Sequence, residues 1–299
     1  MIKAANLTKC FENTKALDGV DFEIGEGAVY GLVGSNGSGK STLLRLISGV
    51  YRADDGEISV DGEDAFKSTV SKQKIAFIGD TPYFLPGANL TDMSKLYSGM
   101  YNSFDPETYR HLCEVFALNQ KTKLTSLSKG MQRQATLILS LSCHPKYLLL
   151  DEAFDGLDVV MRKVLANIII DRVSKENLTV IISSHNLREL EDLCDHIELL
   201  HNGKIIFSNG ADNLKGKLHK LQAVFEIMPE DDALSNLDII KKQVTGSLLQ
   251  AVIRGNEEEI LKAVDLLDPK FSECIEPTLE EMFIYEMEVI GYDVKNILS

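Results

Sequence analysis

Short, uninterrupted apolar runs alternate with longer stretches of helical spacing along most of this chain, the order expected of a largely parallel sheet with helices packed on it. Leu17 to Ile24 alternates as a half-buried strand does, Gly25-Glu26-Gly27 turns the chain, and Ala28 to Val33 reads as a fully buried strand. A helix is expected from Ser41 to about Gly49. Asp54 to Gly62 places two acidic-glycine turn signals around a short strand, and Lys74 to Ile78 makes the next strand. The proline-bearing, turn-rich Gly79 to Pro86 then leads into weaker helical patterns through Tyr101 and from Pro106 to Ala117. Ser128 is placed to cap an apolar-periodic helix that runs to about Cys143, and Pro145 stops it. Beyond it, Tyr147 to Leu150 is a continuous apolar strand closed by Asp151 and Glu152. A helix over Val159 to Val173 leads to the buried strand Leu178 to Ser184, with His185 at its carboxyl end. A further helix from about Asn186 to Cys194 precedes the hairpin of Ile197 to His201 and Lys204 to Ser208, turned by Asn202-Gly203.

Chemistry enters where these strands end. Directly after the buried run to Val33, Gly34-Ser35-Asn36-Gly37-Ser38-Gly39-Lys40-Ser41 fills the G-x-x-x-x-G-K-[ST] pattern of a phosphate-binding loop, with Thr42 next in the helix. The glycines let successive backbone N–H groups turn inward around a polyphosphate, and the helix opening at Lys40 directs its positive dipole end at the same anion. Lys40 can reach the β- and γ-phosphates, and Ser41 a bound Mg²⁺. A nucleoside triphosphate site follows. Asp151 and Glu152 end a strand of the kind whose carboxyl end meets the ligand crevice, although two acids there can equally cap the next helix. Phe11, just before the first strand pair, can stack on a base or belong to the core.

Composition narrows the function classes. Forty-five acidic against 31 basic residues give a formal net charge of −14, which weighs against a surface that coats nucleic acid. The five cysteines are far apart, with no C-x-x-C spacing, and read as reduced thiols of a cytosolic protein. No run approaches the roughly 18 apolar residues of a spanning helix, and Met1-Ile2-Lys3-Ala4 opens no secretory signal, so a membrane role would come through a partner.

With the loop, Leu127-Ser128-Lys129-Gly130-Met131, Leu148 to Glu152 and His185 in this order and spacing, about the first 215 residues resemble the nucleotide-binding domain of an ATP-binding cassette (ABC) ATPase. The resemblance implies an α/β P-loop core over residues 1–215, a mixed sheet with flanking helices, an antiparallel β subdomain and a helical subdomain over about 85–145. A small α+β accessory domain over 216–299 would follow. Gly34 to Ser41 matches the Walker A loop, Leu127 to Met131 the L-S-G-G-Q signature, and Leu148 to Glu152 the Walker B strand. Phe154-Asp155-Gly156-Leu157-Asp158 matches the D-loop, His185 the switch histidine, and Phe11 the aromatic that stacks on adenine.

What the family then implies is ATP and Mg²⁺ as cofactors, with Lys40 and loop N–H groups on the phosphates and Ser41 and Asp151 on the metal. Glu152 would polarise the attacking water. His185 would contact the γ-phosphate, its other nitrogen oriented by a neighbour such as Asp158. A head-to-tail homodimer or heterodimer is implied as well, in which Ser128 and Gly130 of one subunit cover ATP on the other. The signature departs from the family at Lys129 and Met131, and the Q-loop carries Asp80 where glutamine is usual. Asp80 either ligates the metal, directly or through water, or swings out to pair with a cation on a membrane subunit; its shorter side chain and Pro82 favour the second.

Within the family, such a Q-loop and L-S-x-G-M signature look most like bacterial exporter-type ATPases whose polytopic membrane subunit is a separate chain, which implies a peripheral position on the cytoplasmic face of the cell membrane. Tyr83 and Phe84 would be either the apolar anchor for that subunit or satellite core. A soluble ABC ATPase acting on nucleic acid or ribosomes is the alternative, opposed by the single Walker A loop, the lack of long coiled coil and the acidic composition. In the remainder, Leu221 to Ile227 and Leu248 to Ile253 look like strands, Asn256-Glu257-Glu258-Glu259 caps a helix to Leu267 in capping-box form, and Thr278-Leu279-Glu280-Glu281 starts another. That appendage is either a packing or dimer-stabilising module or a regulatory ligand site.

Overall fold

The computed structural model describes residues 1–187, 190–191, 193–210, 218–278, 280–282 and 284–285. Alternation of inward and outward positions forms β1 (Ile2–Phe11) and β2 (Thr14–Ile24), an antiparallel pair. β1 exceeds the sequence expectation because it is bulged: Asn6 takes a φ of 49°, and the register shifts between Ala4 and Leu7, which breaks the period of two. β3 (Val29–Val33) then drops into the core and α1 (Lys40–Ile47) leaves it. β4 (Asp55–Val60) and β5 (Glu63–Asp64) return to the first pair, completing a four-stranded sheet in the order β2-β1-β4-β5.

The chain continues through α2 (Thr69–Gln73), β6 (Ile75–Ile78), α3 (Leu90–Met100), α4 (Pro106–Val115) and α5 (Lys129–Leu141). The weakly patterned α3 and α4 are held by their starts. Asn89 and Asp92 form a reciprocal capping box on α3, and Asp105 caps α4 with Pro106 in its first turn. β7 (Tyr147–Asp151), α6 (Val159–Glu176), β8 (Thr179–Ser184), β9 (His196–His201) and β10 (Lys204–Gly210) complete a six-stranded sheet in the order β10-β9-β3-β8-β7-β6. β9, β3, β8, β7 and β6 run parallel to one another. Every residue of β3, β7 and β8 is buried, as expected of central strands covered on both faces. Their common direction brings the ends of β3, β6, β7 and β8 to one edge, where the chain carries its loop, Asp80, Asp151 and His185.

The expected helix over 186–194 lies partly outside the described residues; within it, Leu190 donates to the Leu187 carbonyl, and Leu193 and Cys194 to that of Leu190. The chain divides into two compact units, residues 1–208 and 209–299. In the second, β11 (Leu218–Val224), β12 (Asp238–Thr245), β13 (Leu248–Arg254) and β14 (Phe271–Ile275) form an antiparallel sheet in the order β12-β13-β11-β14. One face of it packs Leu221, Leu249 and Ile253 against Ile260 and Val264 of α7 (Glu257–Asp265), whose cap is the Asn256 side chain. β11 lies closer to the amino terminus than its expected span of Leu221 to Ile227. Thr278 and Glu281 exchange backbone and side-chain bonds, so the last expected helix start is a capping box.

Candidate functional site

The turn from β3 into α1 is built on close backbone approach. Gly39 has a φ of 113°, and a Cβ there would stand 2.5 Å from the Ala16 carbonyl oxygen, so only glycine fits. Lys40, 5% exposed, donates from Nζ to the carbonyls of Gly34 (2.6 Å) and Ser35 (3.2 Å), with Glu152 Oε1 3.7 Å away. Burial pulls its pKa down, while Glu152 and Asp151 pull it back up. A cavity of about 280 Å³ opens over this turn, lined among others by Asn36, Gly37, Ser41, Thr42, Asp80 and Glu152. Ser38 is buried against the same turn, and its hydroxyl has no hydrogen-bond partner among the described residues. A larger groove, about 1000 Å³, lies over the outer antiparallel sheet; two of the acids that line it, Glu23 and Asp54, are paired with lysines.

Across the cavity, β7 presents Asp151, which is fully buried. Its Oδ1 accepts from the hydroxyls of Ser41 (2.9 Å) and Ser183 (2.7 Å), while Oδ2 accepts no hydrogen bond among the described residues. A bare buried carboxylate oxygen beside a hydroxyl is a donor set that suits a hard divalent cation, and Mg²⁺ fits here. The next residue, Glu152, has a φ of 50°, strained for a non-glycine residue, and its N–H donates to the Ser183 hydroxyl at 3.0 Å. That bend aims Glu152 back at the cavity, where Oε2 lies 2.9 Å from His185 Nδ1. Asp158 is therefore not the partner of His185. Its carboxylate is committed to capping α6, accepting from Met161 N at 2.9 Å.

The structure thus gathers Gly34 to Thr42, Asp80, Asp151, Glu152 and His185. Ser128 and Gly130 do not line this cavity: Ser128 caps α5 by accepting from Met131 N at 3.3 Å, and a Cβ on Gly130 would meet the Gly156 carbonyl at 2.5 Å. Phe11 does not line it either; its half-exposed ring packs edge-on against Tyr51 at 5.4 Å. Asp80 lines the cavity with an exposed side chain, and its Oδ1 lies 3.4 Å from Arg45 Nη2. Arg133 of α5 is a residue the motifs pass over. Buried to 6% exposure, it donates to the carbonyls of Glu152 (2.5 Å), Asp80 (2.6 Å) and Asp151 (3.4 Å) and so ties the Q-loop and β7 to the helix that begins at the signature. Its only sequence signal is a cation on an otherwise apolar stretch of helix face.

The match to the ABC transporter family covers residues 17–155. The ABC transporter ATP-binding protein YtrB of Bacillus subtilis is 30% identical over 284 residues, spanning 95% of this chain and 97% of that one. The chain belongs to the ABC transporter ATPase family. The bacitracin transport ATP-binding protein BcrA of Bacillus licheniformis is 30% identical over 239 residues, 78% of this chain and 77% of its own. Among solved structures, the dimeric bacterial cassette MJ0796 superposes with a TM-score of 0.65 at 22% identity, covering 71% of this chain and 99% of that one, a likeness of fold. No helix among the described residues is long and apolar enough to cross a membrane. The cassette fold accounts for the edge of the sheet on which the site is built.

Proposed function

We propose that this chain is the ATP-hydrolysing subunit of a membrane exporter, acting as a dimer beneath a separate polytopic subunit at the cytoplasmic face. One observation carries the catalytic part: Lys40, Ser41 and Glu152 line one cavity at the carboxyl ends of parallel strands, with Asp151 bonded to Ser41 and His185 to Glu152 just behind them. In hydrolysis, water attacks the γ-phosphorus and the bond to the bridging oxygen breaks, a displacement that needs positioning and charge neutralisation more than covalent help. Glu152 orients the water and draws on its proton. Lys40 exchanges the Gly34 and Ser35 carbonyls for phosphate oxygens, and the N-terminal dipole of α1 adds to it. His185, already bonded to Glu152, holds that carboxylate in place and reads the γ-phosphate with its outer nitrogen. Ser41 and Asp151 would hold Mg²⁺, which when bound neutralises charge on the β- and γ-oxygens.

Ser128 and Gly130, lying off the cavity of their own chain, suit a role on the nucleotide of a partner subunit, whose phosphates would meet the N-terminus of α5. Phe11, exposed at the end of β1, is the group for the adenine ring. Tyr83, 78% exposed in the loop after Asp80, suits the membrane-subunit contact. The bacitracin-transport relative supports a transport role, and the acidic composition disfavours action on nucleic acid. The test is ATPase activity of the purified chain alone and with any polytopic protein found encoded beside it. Activity lost in Lys40→Ala and stimulated by the membrane protein is expected; activity indifferent to Lys40→Ala would refute the site.

A further inference from the structure

Arg45 is on α1, about one turn beyond Ser41, and belongs to no motif of the chain. Its Nη2 stands between two carboxylates, 3.4 Å from Asp80 Oδ1 and 3.9 Å from Asp151 Oδ2. The second is the oxygen that accepts no hydrogen bond among the described residues, Oδ1 being taken up by Ser41 and Ser183. On the other side, the guanidinium carbon lies 6.0 Å from the Tyr51 ring centre, which limits where the side chain can go. Asp80 is held too: Arg133 grips its carbonyl at 2.6 Å, while its carboxylate is exposed and turned toward Arg45.

These contacts separate two roles for the aspartate that replaces the usual glutamine. A direct metal ligand would share the metal's space with Asp151, and two carboxylates there repel unless a cation stands between them. Arg45 already stands there. A guanidinium and a divalent ion cannot both occupy the approach to Asp151 Oδ2, so each must weaken the other's hold. We propose that Arg45 is a positioning residue that competes with the divalent cation for Asp151 Oδ2. Asp80 acts on the metal through Arg45, by giving the displaced guanidinium a carboxylate to rest on. This rests on the assignment of Ser41 and Asp151 as the metal site.

Direct binding of Mn²⁺, followed by loss of its free electron paramagnetic resonance signal with the protein in excess over a non-hydrolysable ATP analogue so that the nucleotide is all protein-bound, tests it. Arg45→Gln removes the competitor and should tighten Mn²⁺ by at least about threefold, whereas a merely structural role for Arg45 would leave the affinity unchanged or weaken it. Arg45→Lys, which keeps the charge, should stay close to wild type. Asp80→Asn should weaken Mn²⁺ by about threefold in the wild-type background and have no effect beside Arg45→Gln, a double-mutant cycle that reads the coupling itself. Unchanged or weaker binding in Arg45→Gln overturns the inference, as does an Asp80→Asn effect that persists without Arg45. Mn²⁺ affinity indifferent to Ser41→Ala would instead refute the metal site on which the inference stands.

Discussion

The carboxyl edge of the parallel sheet and the antiparallel sheet of residues 218–275 bury polar groups in opposite ways. At the first, Lys40, Asp151 and Arg133 are each less than a tenth exposed, and their charges are spread over carbonyls, hydroxyls and one another. In the second, the core of Leu221, Leu249, Ile253, Ile260 and Val264 is apolar, and the Lys220–Glu281 pair stays about one-third exposed at 2.8 Å. Buried charge is costly, and a fold keeps it only where the surrounding groups compensate it or a ligand is to complete it. The sheet edge has the marks of a site; for the second unit, where His219 is the buried polar side chain among the described residues, we propose a packing role.

The largest expected effect belongs to the sheet edge. Glu152→Gln should leave ATP binding intact and slow hydrolysis by at least about 100-fold, roughly 2.7 kcal/mol in the barrier. Steady-state phosphate release beside equilibrium nucleotide binding separates the two, and wild-type turnover in that variant would break the assignment. Next comes the contrast between two cations. Arg133→Met strips hydrogen bonds from the carbonyls of Asp80, Asp151 and Glu152 and should cost about 2 kcal/mol in urea denaturation. The matching Lys220→Met should cost no more than about 1 kcal/mol, because its partner is solvated. Equal losses would erase the comparison.

A smaller effect lies in the first unit but away from the cavity. Glu198 of β9 accepts from the Ser208 hydroxyl at 2.8 Å, its Oε2 is buried without a partner among the described residues, and burial raises its pKa from 4.5 to about 7. Between those values the folded chain keeps a proton that the unfolded chain has lost. Stability should therefore fall as pH rises through this window and level off above it. Glu198→Gln should flatten that slope in denaturation midpoints taken at about pH 5 and about pH 8; a slope unchanged in the variant would assign it to another group.

How much of this was legible follows from what each residue depends on. The phosphate loop, the acids closing β7 and His185 were readable because each sits at the end of an apolar run, and both the order and the spacing are local to the sequence. Arg45, Arg133 and Ser183 were not. Arg133 matters because β6 pairs beside β7, Ile78 opposite Leu150, which brings the carbonyls of Asp80 and Glu152 within reach of one guanidinium. Ser183 matters because β7 pairs with β8, Asp151 opposite Ser183. Asp158, by contrast, is only one of the neighbours the sequence offers His185, and the local demand of a helix start claims it. β12 and β14 carry no clear strand signal because their exposed faces are broken by charge, as in the edge strands they are.

The smallest expected effect sharpens the comparison most, since it asks whether the second unit touches the chemistry at all. Every residue that lines the cavity, from Ala16 to Glu152, falls within residues 1–208, as does His185. A chain ending at Leu214 should therefore bind ATP within about twofold of the full chain, a difference under about 0.5 kcal/mol. The first unit has the means to fold alone, with its own core running from Ile2 through Leu44 and Leu149 to Leu200. If the second unit stabilises a dimer, the truncated chain should show weaker self-association at equal nucleotide occupancy, because closing two subunits is a separate equilibrium from filling one cavity. Isothermal titration with an ATP analogue gives the first quantity and sedimentation with nucleotide the second. A folded, truncated chain with a tenfold loss of ATP affinity would mean that residues 215–299 complete the site, and the division between a chemical edge and a packing module would have to be redrawn.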